Sequence, residues 1–284
     1  MTVMKKRNGP ETTRVITENN IPRISYLSLE QYPWLINAFS TREGGVSTGM
    51  YSSMNLAFTR GDDPEKVSEN YRLFGESIGV SREQMVFSDQ QHTTNVMEVT
   101  SAHHGMGIIR ERNFSDIDGI MTNEPGVCLV TSYADCVPLY FVDPVNRAIA
   151  LSHSGWRGTI GNICQKTVDE MIRLYGSKPE DIITCIGPSI CADCYEVGSD
   201  VADVFIETYG DDADTVVLPH NENIPGKYQL DLTRANVINM EKAGILPEHI
   251  SVPDLCTCCN KDVLHSHRGS RGQRGGLCAF LMIR

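Results

Sequence analysis

Apolar residues recur at steps of three and four over residues 159–175, where Ile160, Ile163, Cys164, Val168, Met171, Ile172 and Tyr175 fall on one stripe. That spacing predicts a helix with one apolar face, stopped by Gly176. Asp63-Pro64 supplies a cap and a proline at the first helical position, so a second helix is expected through "EKVSENYRLFGESIGV". "SDVADVFIETYG" and "LTRANVINMEKAGI" carry the same period. Between them lie short runs rich in β-branched and aromatic residues: "VCLVTSYA", "PLYFVD", "AIALSH", "IITCIG", "TVVLPH", "HISVPD" and "LCAFLMI". These predict strands. Residues 1–22 lack apolar periodicity and are expected to be a loose lead-in. Residues 23–284 contain no repeat, low-complexity tract or linker, which predicts a single domain of α and β elements in covering layers.

One pair of strands brings chemistry with it. "PVNR" separates "PLYFVD" from "AIALSH" and is turn-forming, so the two runs should make a hairpin. Cys136 before the first run and His153 at the end of the second then meet at its open end, on strands about 5 Å apart. Thiolate and imidazole are preferred zinc ligands, and a third could be His92 in "FSDQQHTTNV", after the strand-like "QMVF". Three protein ligands leave a fourth position open, as catalytic zinc requires. The same residues also suit a Cys136 nucleophile with His153 as its base.

Composition narrows the partners. The net charge is −11, from 25 basic and 36 acidic residues, and the basic residues cluster only at the two ends, in "MKKR" and "HRGSRGQR". This disfavours a nucleic-acid surface while leaving room for a small anion. No apolar run approaches the roughly 18 residues of a membrane span, and the polar start lacks a signal-peptide core, so a soluble, cytoplasmic protein is expected. The ten cysteines are expected to be thiols, with Cys128, Cys164 and Cys278 in apolar runs as small buried hydrophobes.

Other motifs are less pointed. Arg42 stands beside a glycine pair in "STREGGVSTG", and Arg157 in "SHSGWRGTIGN" opens a helix whose free N–H groups could meet an anion; neither loop matches a Walker or dinucleotide pattern. Cys191 and Cys194 form a CxxC. "CTCCN" adds Cys256, Cys258 and Cys259, which with the first pair could imitate a four-cysteine zinc site, but the second cluster is taken to have the wrong CxxC spacing, and unpaired or buried thiols are expected instead. His265 and His267 in "LHSHR" are a single His-x-His pair, short of what a copper oxidase needs.

Taken in order, "FSTREGGVSTGMYSSMNLAF", "GDDPEKVSENYR", "DQQH", "YADCVPLYF", "LSHSGWRGT", "IGPSICADCYEVG" and "LDLTRAN" resemble the motifs of the YfiH/YlmD laccase-domain family over roughly residues 37–284. The resemblance implies an α+β fold, a layered α/β/β/α mixed sandwich similar to the cytotoxic necrotising factor catalytic domain. It implies a zinc-dependent enzyme that phosphorolyses adenosine, inosine, guanosine and S-methyl-5'-thioadenosine and deaminates adenosine, with small-molecule partners (purine nucleosides and phosphate). The family's zinc ligands map onto His92, Cys136 and His153, and copper is the less expected metal. Two departures stand out: Ser154 where relatives commonly have alanine, and His267 where they commonly have an aromatic.

Zinc deaminases of bases carry a His-x-Glu whose glutamate moves protons. His153-Ser154-Gly155 has no such glutamate, so Asp135 and Asp118 are the candidate acids, Asp135 also as a partner that orients an imidazole. Arg42, Arg157 and Arg268 are candidate phosphate or ribose contacts, and Asn55 could hold a ribose hydroxyl or base edge. The alternatives are a cysteine hydrolase or deamidase built on Cys136 and His153, and a non-catalytic protein whose zinc only supports a binding surface.

Overall fold

The computed structural model describes residues 4–284. In chain order the strands are β1 (Thr13–Glu18), β2 (Ile21–Tyr26), β3 (Leu35–Ser40), β4 (Met85–Phe87), β5 (Val96–Glu98), β6 (Gly119–Thr122), β7 (Cys128–Tyr133), β8 (Val137–Asp143), β9 (Ala148–Ser154), β10 (Ile183–Ile186), β11 (Glu196–Gly198), β12 (Val217–Pro219), β13 (Lys227–Leu230), β14 (Ile250–Ser251) and β15 (Leu277–Ile283). The helices are α1 (Pro64–Ile78), α2 (Trp156–Ile160), α3 (Ile163–Tyr175), α4 (Ser199–Tyr209), α5 (Ala213–Val216) and α6 (Leu232–Lys242).

Two six-stranded sheets, ordered β1-β2-β3-β15-β7-β4 and β14-β10-β8-β9-β6-β5, pack face to face, and β11-β13-β12 forms a small third sheet. The period-two alternation of β8 shows why. Val137, Leu139 and Phe141 point to one side, against Ile163 and Val168 of α3 and Phe205 of α4. Tyr140 and Val142 point to the other, against Leu129, Tyr133, Leu277 and Leu281 of the facing sheet. On that sheet's far side Val130 and Phe280 meet Val67, Tyr71 and Phe74 of α1. The layers are therefore α/β/β/α, the expected sandwich, and the central strands read as unbroken apolar runs because both faces are buried.

The hairpin forms as expected, with Pro138 opposite His153 and Val137 opposite Ser154. Its turn is tied by Asp143 Oδ1, which accepts from the N–H groups of Val145 and Asn146 at 2.9 and 3.0 Å. Asp63 caps α1 through the Glu65 N–H at 2.9 Å, and Gly79 closes it at φ +73°.

Some expectations change. Residues 13–22 are not a loose lead-in: β1 pairs with β2 along its whole length. As an edge strand with a mostly exposed outer half, β1 is held by backbone pairing and leaves little apolar signal. The single helix expected over 159–175 is two. Asn162 adopts φ +55° and caps α3 by accepting from the Gln165 N–H at 3.1 Å, so the chain turns between α2 and α3. Ile172, placed on the buried stripe, is 41% exposed. Among the described residues no helix is long and apolar enough to cross a membrane.

Candidate functional site

The site lies where the chain crosses between the two large sheets. One such crossing is the loop of residues 88–95, from β4 to β5; another is residues 134–136, from β7 to β8. Gln90 extends the first sheet past β4 by donating to the Ser132 carbonyl at 2.8 Å and accepting from the Ser132 N–H at 2.7 Å. The loop then wraps around the fully buried Asp118, whose carboxylate accepts from the N–H groups of Gln91, His92 and Thr93 at 2.9, 3.1 and 2.9 Å. His92 sits at φ +65°, a left-handed conformation these three hydrogen bonds hold in place.

That loop brings His92 to the open end of the hairpin. The ligand atoms of His92, Cys136 and His153 all lie within 4.8 Å of one another, and Cys136 Sγ is 4.0 Å from His92 Nε2. The two imidazoles meet edge to face, with centroids 4.8 Å apart. His153 Nδ1 is 2.7 Å from Asp118 Oδ1, so the Nδ1–H donates to the carboxylate and Nε2 is left for the cluster. Gly155 completes the cradle: a Cβ there would come within 2.9 Å of His92 Cδ2 and 3.3 Å of Cys136 Sγ.

The electrostatics suit a metal-binding thiolate. Burial would raise the Cys136 thiol, but the charge and hydrogen bonds of His153 and His92 outweigh it and bring it down to about 6. Burial works against a charged His153, yet Cys136 and Asp118 together hold it up at about 9. Burial also opposes the Asp118 charge, and the His153 hydrogen bond with the backbone N–H groups keeps its carboxyl below the usual range. Two imidazoles and a low-lying thiol, fixed from behind by one carboxylate and open on one side, fit a catalytic metal ion.

The open side is a cavity of about 840 Å³ with His92, Cys136 and His153 in its lining. Phe58, Phe87 and Phe114 give it aromatic walls, and Arg60, Arg112 and Arg274 bring positive charge. Arg112 is committed, donating to the Phe87 carbonyl at 2.8 Å and lying over the Phe87 ring. Arg274 differs: burial and the neighbouring Arg60 pull it down to about 10, and its buried Nε has no hydrogen-bond partner. Arg60 and Arg274 were not candidates from the sequence; for Arg274 the one signal was the basic character of "HRGSRGQR", and Arg60 had none.

The earlier substrate candidates fall elsewhere. Arg42 donates to the carbonyls of Ser52 and Lys261 at 2.9 and 2.8 Å and braces that loop. Asn55 is fully buried, donating to Asp62 and accepting from the N–H groups of Ala57 and Gly276. Neither lines the cavity. Arg157 lies over the Trp156 ring and Arg268 over the Tyr195 ring, where Arg268 also donates to the Glu196 carbonyl at 2.9 Å. They form a separate rim outside the cavity lining, beside Tyr195, whose hydroxyl burial and Cys136 push up to about 12 against the pull of Arg268 and Arg157. Asp135 is buried beside Cys136 but orients no imidazole: Oδ1 accepts from the Thr257 hydroxyl and Oδ2 from the Arg268 N–H, both at 2.6 Å. His267 is exposed.

Comparison with known proteins gives the chain a family and a fold. A family model described as multi-copper polyphenol oxidoreductase laccase matches residues 36–284. Purine nucleoside phosphorylase YlmD of Geobacillus stearothermophilus is 35% identical over 254 residues, covering 87% of this chain and 89% of that protein. A purine nucleoside phosphorylase of Bacteroides thetaiotaomicron is 33% identical over 261 residues, 92% of this chain and 96% of that one. The crystal structure of YlmD from Geobacillus stearothermophilus superposes with a TM-score of 0.87 at 33% identity, covering 97% of this chain and all of that one. The Bacillus licheniformis hypothetical protein YfiH gives 0.86 at 32%, covering 92% and 96%.

Proposed function

The chain belongs to the multi-copper polyphenol oxidoreductase laccase family, and on that premise we propose that it is a zinc-dependent purine nucleoside phosphorylase. Its substrates are adenosine, inosine, guanosine and S-methyl-5'-thioadenosine, and it also deaminates adenosine. The observation that carries this reading is the convergence of His92, Cys136 and His153 on a cavity whose Arg60 and Arg274 have no carboxylate within 4 Å among the described residues. Relatives named purine nucleoside phosphorylase supply the substrate class.

His92, Cys136 and His153 would hold the metal, which when bound supplies Lewis acidity beside the substrate. Asp118 keeps the His153 tautomer and the His92 loop in place. Arg60 and Arg274 hold the phosphate, and Phe58, Phe87 and Phe114 give the purine an aromatic wall. An oxygen of the held hydrogen phosphate attacks the sugar C1′, the bond from C1′ to the purine nitrogen breaks, and the proton that hydrogen phosphate gives up ends on that nitrogen, so the base leaves neutral. Arg157 and Arg268, on the rim by Tyr195, are placed for contacts outside the cavity. Asp135, with both oxygens engaged, acts as a positioning residue. Zinc rather than copper suits the site because three protein donors with an open side match catalytic zinc. Neither cluster of metal-binding side chains among the described residues is the histidine-rich assembly a multicopper oxidase requires.

Incubation of the zinc-loaded protein with adenosine, with and without phosphate, tests this reading by chromatography. Adenine and ribose 1-phosphate should form only with phosphate, and inosine should form without it. No turnover of any purine nucleoside would refute it. The low-lying Cys136 thiol beside a charged His153 favours one other reading, a cysteine hydrolase. Full activity after metal removal would select that alternative.

A further inference from the structure

Away from the cavity, a second cluster of metal-binding side chains forms from cysteines that the sequence reading set aside. Cys256 and Cys259 do keep a CxxC spacing, across Cys258, and match Cys191 and Cys194. The two pairs, 65 residues apart in the chain, are joined where Ser189 bridges to Cys256 and the Thr257 N–H donates to the Ser189 carbonyl at 3.1 Å. All four Sγ atoms lie within 4.8 Å of one another. We propose that Cys191, Cys194, Cys256 and Cys259 bind a structural zinc ion, distinct from the one in the catalytic cavity.

The geometry favours this over four ordinary thiols. Zn–S bonds of about 2.3 Å in a tetrahedron set sulfur atoms roughly 3.8 Å apart, and Cys194 and Cys259 already stand at 3.5 Å. Cys256 Sγ accepts from the N–H groups of Cys191 and Cys259 at 3.2 and 3.5 Å, the backbone support that a thiolate ligand receives in a CxxC turn. Cys128, Cys164, Cys185 and Cys278, by contrast, belong to neither cluster of metal-binding side chains. Four protein ligands leave no open position, which marks a structural rather than a catalytic ion.

The location gives the ion a role. Both arms of the cluster grip Asp135: the Ile190 N–H donates to its carbonyl at 3.0 Å, and the Thr257 hydroxyl donates to its carboxylate. Asp135 sits at φ +90° immediately before Cys136. A zinc ion closing the four-cysteine cluster therefore fixes the backbone that aims the catalytic thiolate.

Metal analysis of protein purified with reductant from zinc-supplemented cells should find about two zinc ions per chain. The double variant His92→Ala/His153→Ala, which disables the cavity site, should keep one, with X-ray absorption showing sulfur-only coordination. Cys191→Ser/Cys194→Ser should lose one of the two and unfold at a lower temperature. If that variant does not fold, the absorption spectrum of the His92→Ala/His153→Ala protein still decides. No zinc in that protein, mixed nitrogen and sulfur coordination, or a disulfide among the four cysteines of the reduced wild type would overturn the proposal. Because neither measurement involves nucleosides, failure here is separable from failure of the enzymatic reading.

Discussion

Asp118 and Asp135 flank the same three ligands and are 0% and 8% exposed, yet their partners differ in kind. Asp118 gathers three consecutive backbone N–H groups of the His92 loop on one side and the His153 ring on the other. Asp135 takes the Thr257 hydroxyl, from within the second cysteine pair, and the Arg268 N–H, from the segment that follows it. Asp135 is adjacent to Cys136 in sequence, whereas Asp118 is 35 residues from His153. The carboxylate that orients the imidazole is the distant one. Sequence adjacency puts a side chain near a ligand's backbone, but a hydrogen bond to a ring nitrogen depends on direction, which the fold supplies.

Substitutions can break this contrast. The largest effect is expected from Asp118→Asn, which presents an amide where His153 and the loop N–H groups need an anion. Metal affinity or activity should fall about 10- to 100-fold, measured by competition with a chromophoric chelator. An unchanged affinity would remove Asp118 from the role given to it.

Asp135→Asn should act on stability instead. It puts an amide where the Thr257 hydroxyl and the Arg268 N–H meet a carboxylate, so unfolding in urea should show a loss of about 1–3 kcal/mol, with metal affinity much less affected than in Asp118→Asn. Equal losses of affinity in the two variants would erase the distinction between them.

The pH response sharpens the contrast further. In metal-free protein Cys136 should alkylate with a midpoint at about 6. Asp118→Asn should move that midpoint upward, because a less readily charged His153 supports the thiolate less, and Asp135→Asn should move it little. The stability effect has a definite sign. His153 is raised from 6.5 to about 9, so its contribution is fully present below 6.5 and is lost as the pH rises through about 9. Cys136 is lowered from 9.0 to about 6, so its contribution is present above 9.0 and is lost as the pH falls through about 6. Urea titrations across this range should show both limbs in the wild type and a reduced alkaline limb in Asp118→Asn.

The smallest expected effect is that of Thr257→Val. It removes one hydrogen bond to Asp135 and should cost about 1 kcal/mol, with His92 and His153 undisturbed. A shift in the Cys136 alkylation midpoint as large as that of Asp118→Asn would show that Asp135 controls the thiol directly.

Much of the frame was legible along the chain. The apolar runs of β7, β8, β9, β10 and β15 were readable because both faces of those strands are buried, and α1 because Asp63, Pro64 and Gly79 punctuate it. The edge strand β1 was not, since pairing of its backbone requires no apolar side chains. The break at Asn162 was hidden by an apolar period that runs on through it. Arg42 and Asn55 drew attention as polar residues in a turn, and the fold uses them to hold that turn together. Arg60 and Arg274 sit in segments with little pattern and become neighbours only when the loop after Phe58 and the segment before β15 meet at the cavity.

The sequence by itself determined the hairpin that pairs Cys136 with His153, because a turn between two apolar strands sets register locally. Its position after a strand-like run made His92 a candidate third ligand, and family resemblance selected it. Tertiary structure alone decided which aspartate holds the imidazole, which arginines face the cavity and that two cysteine pairs 65 residues apart converge. Those outcomes depend on where separate segments cross between the sheets and on the direction of each donor and acceptor there, neither of which is encoded in local spacing.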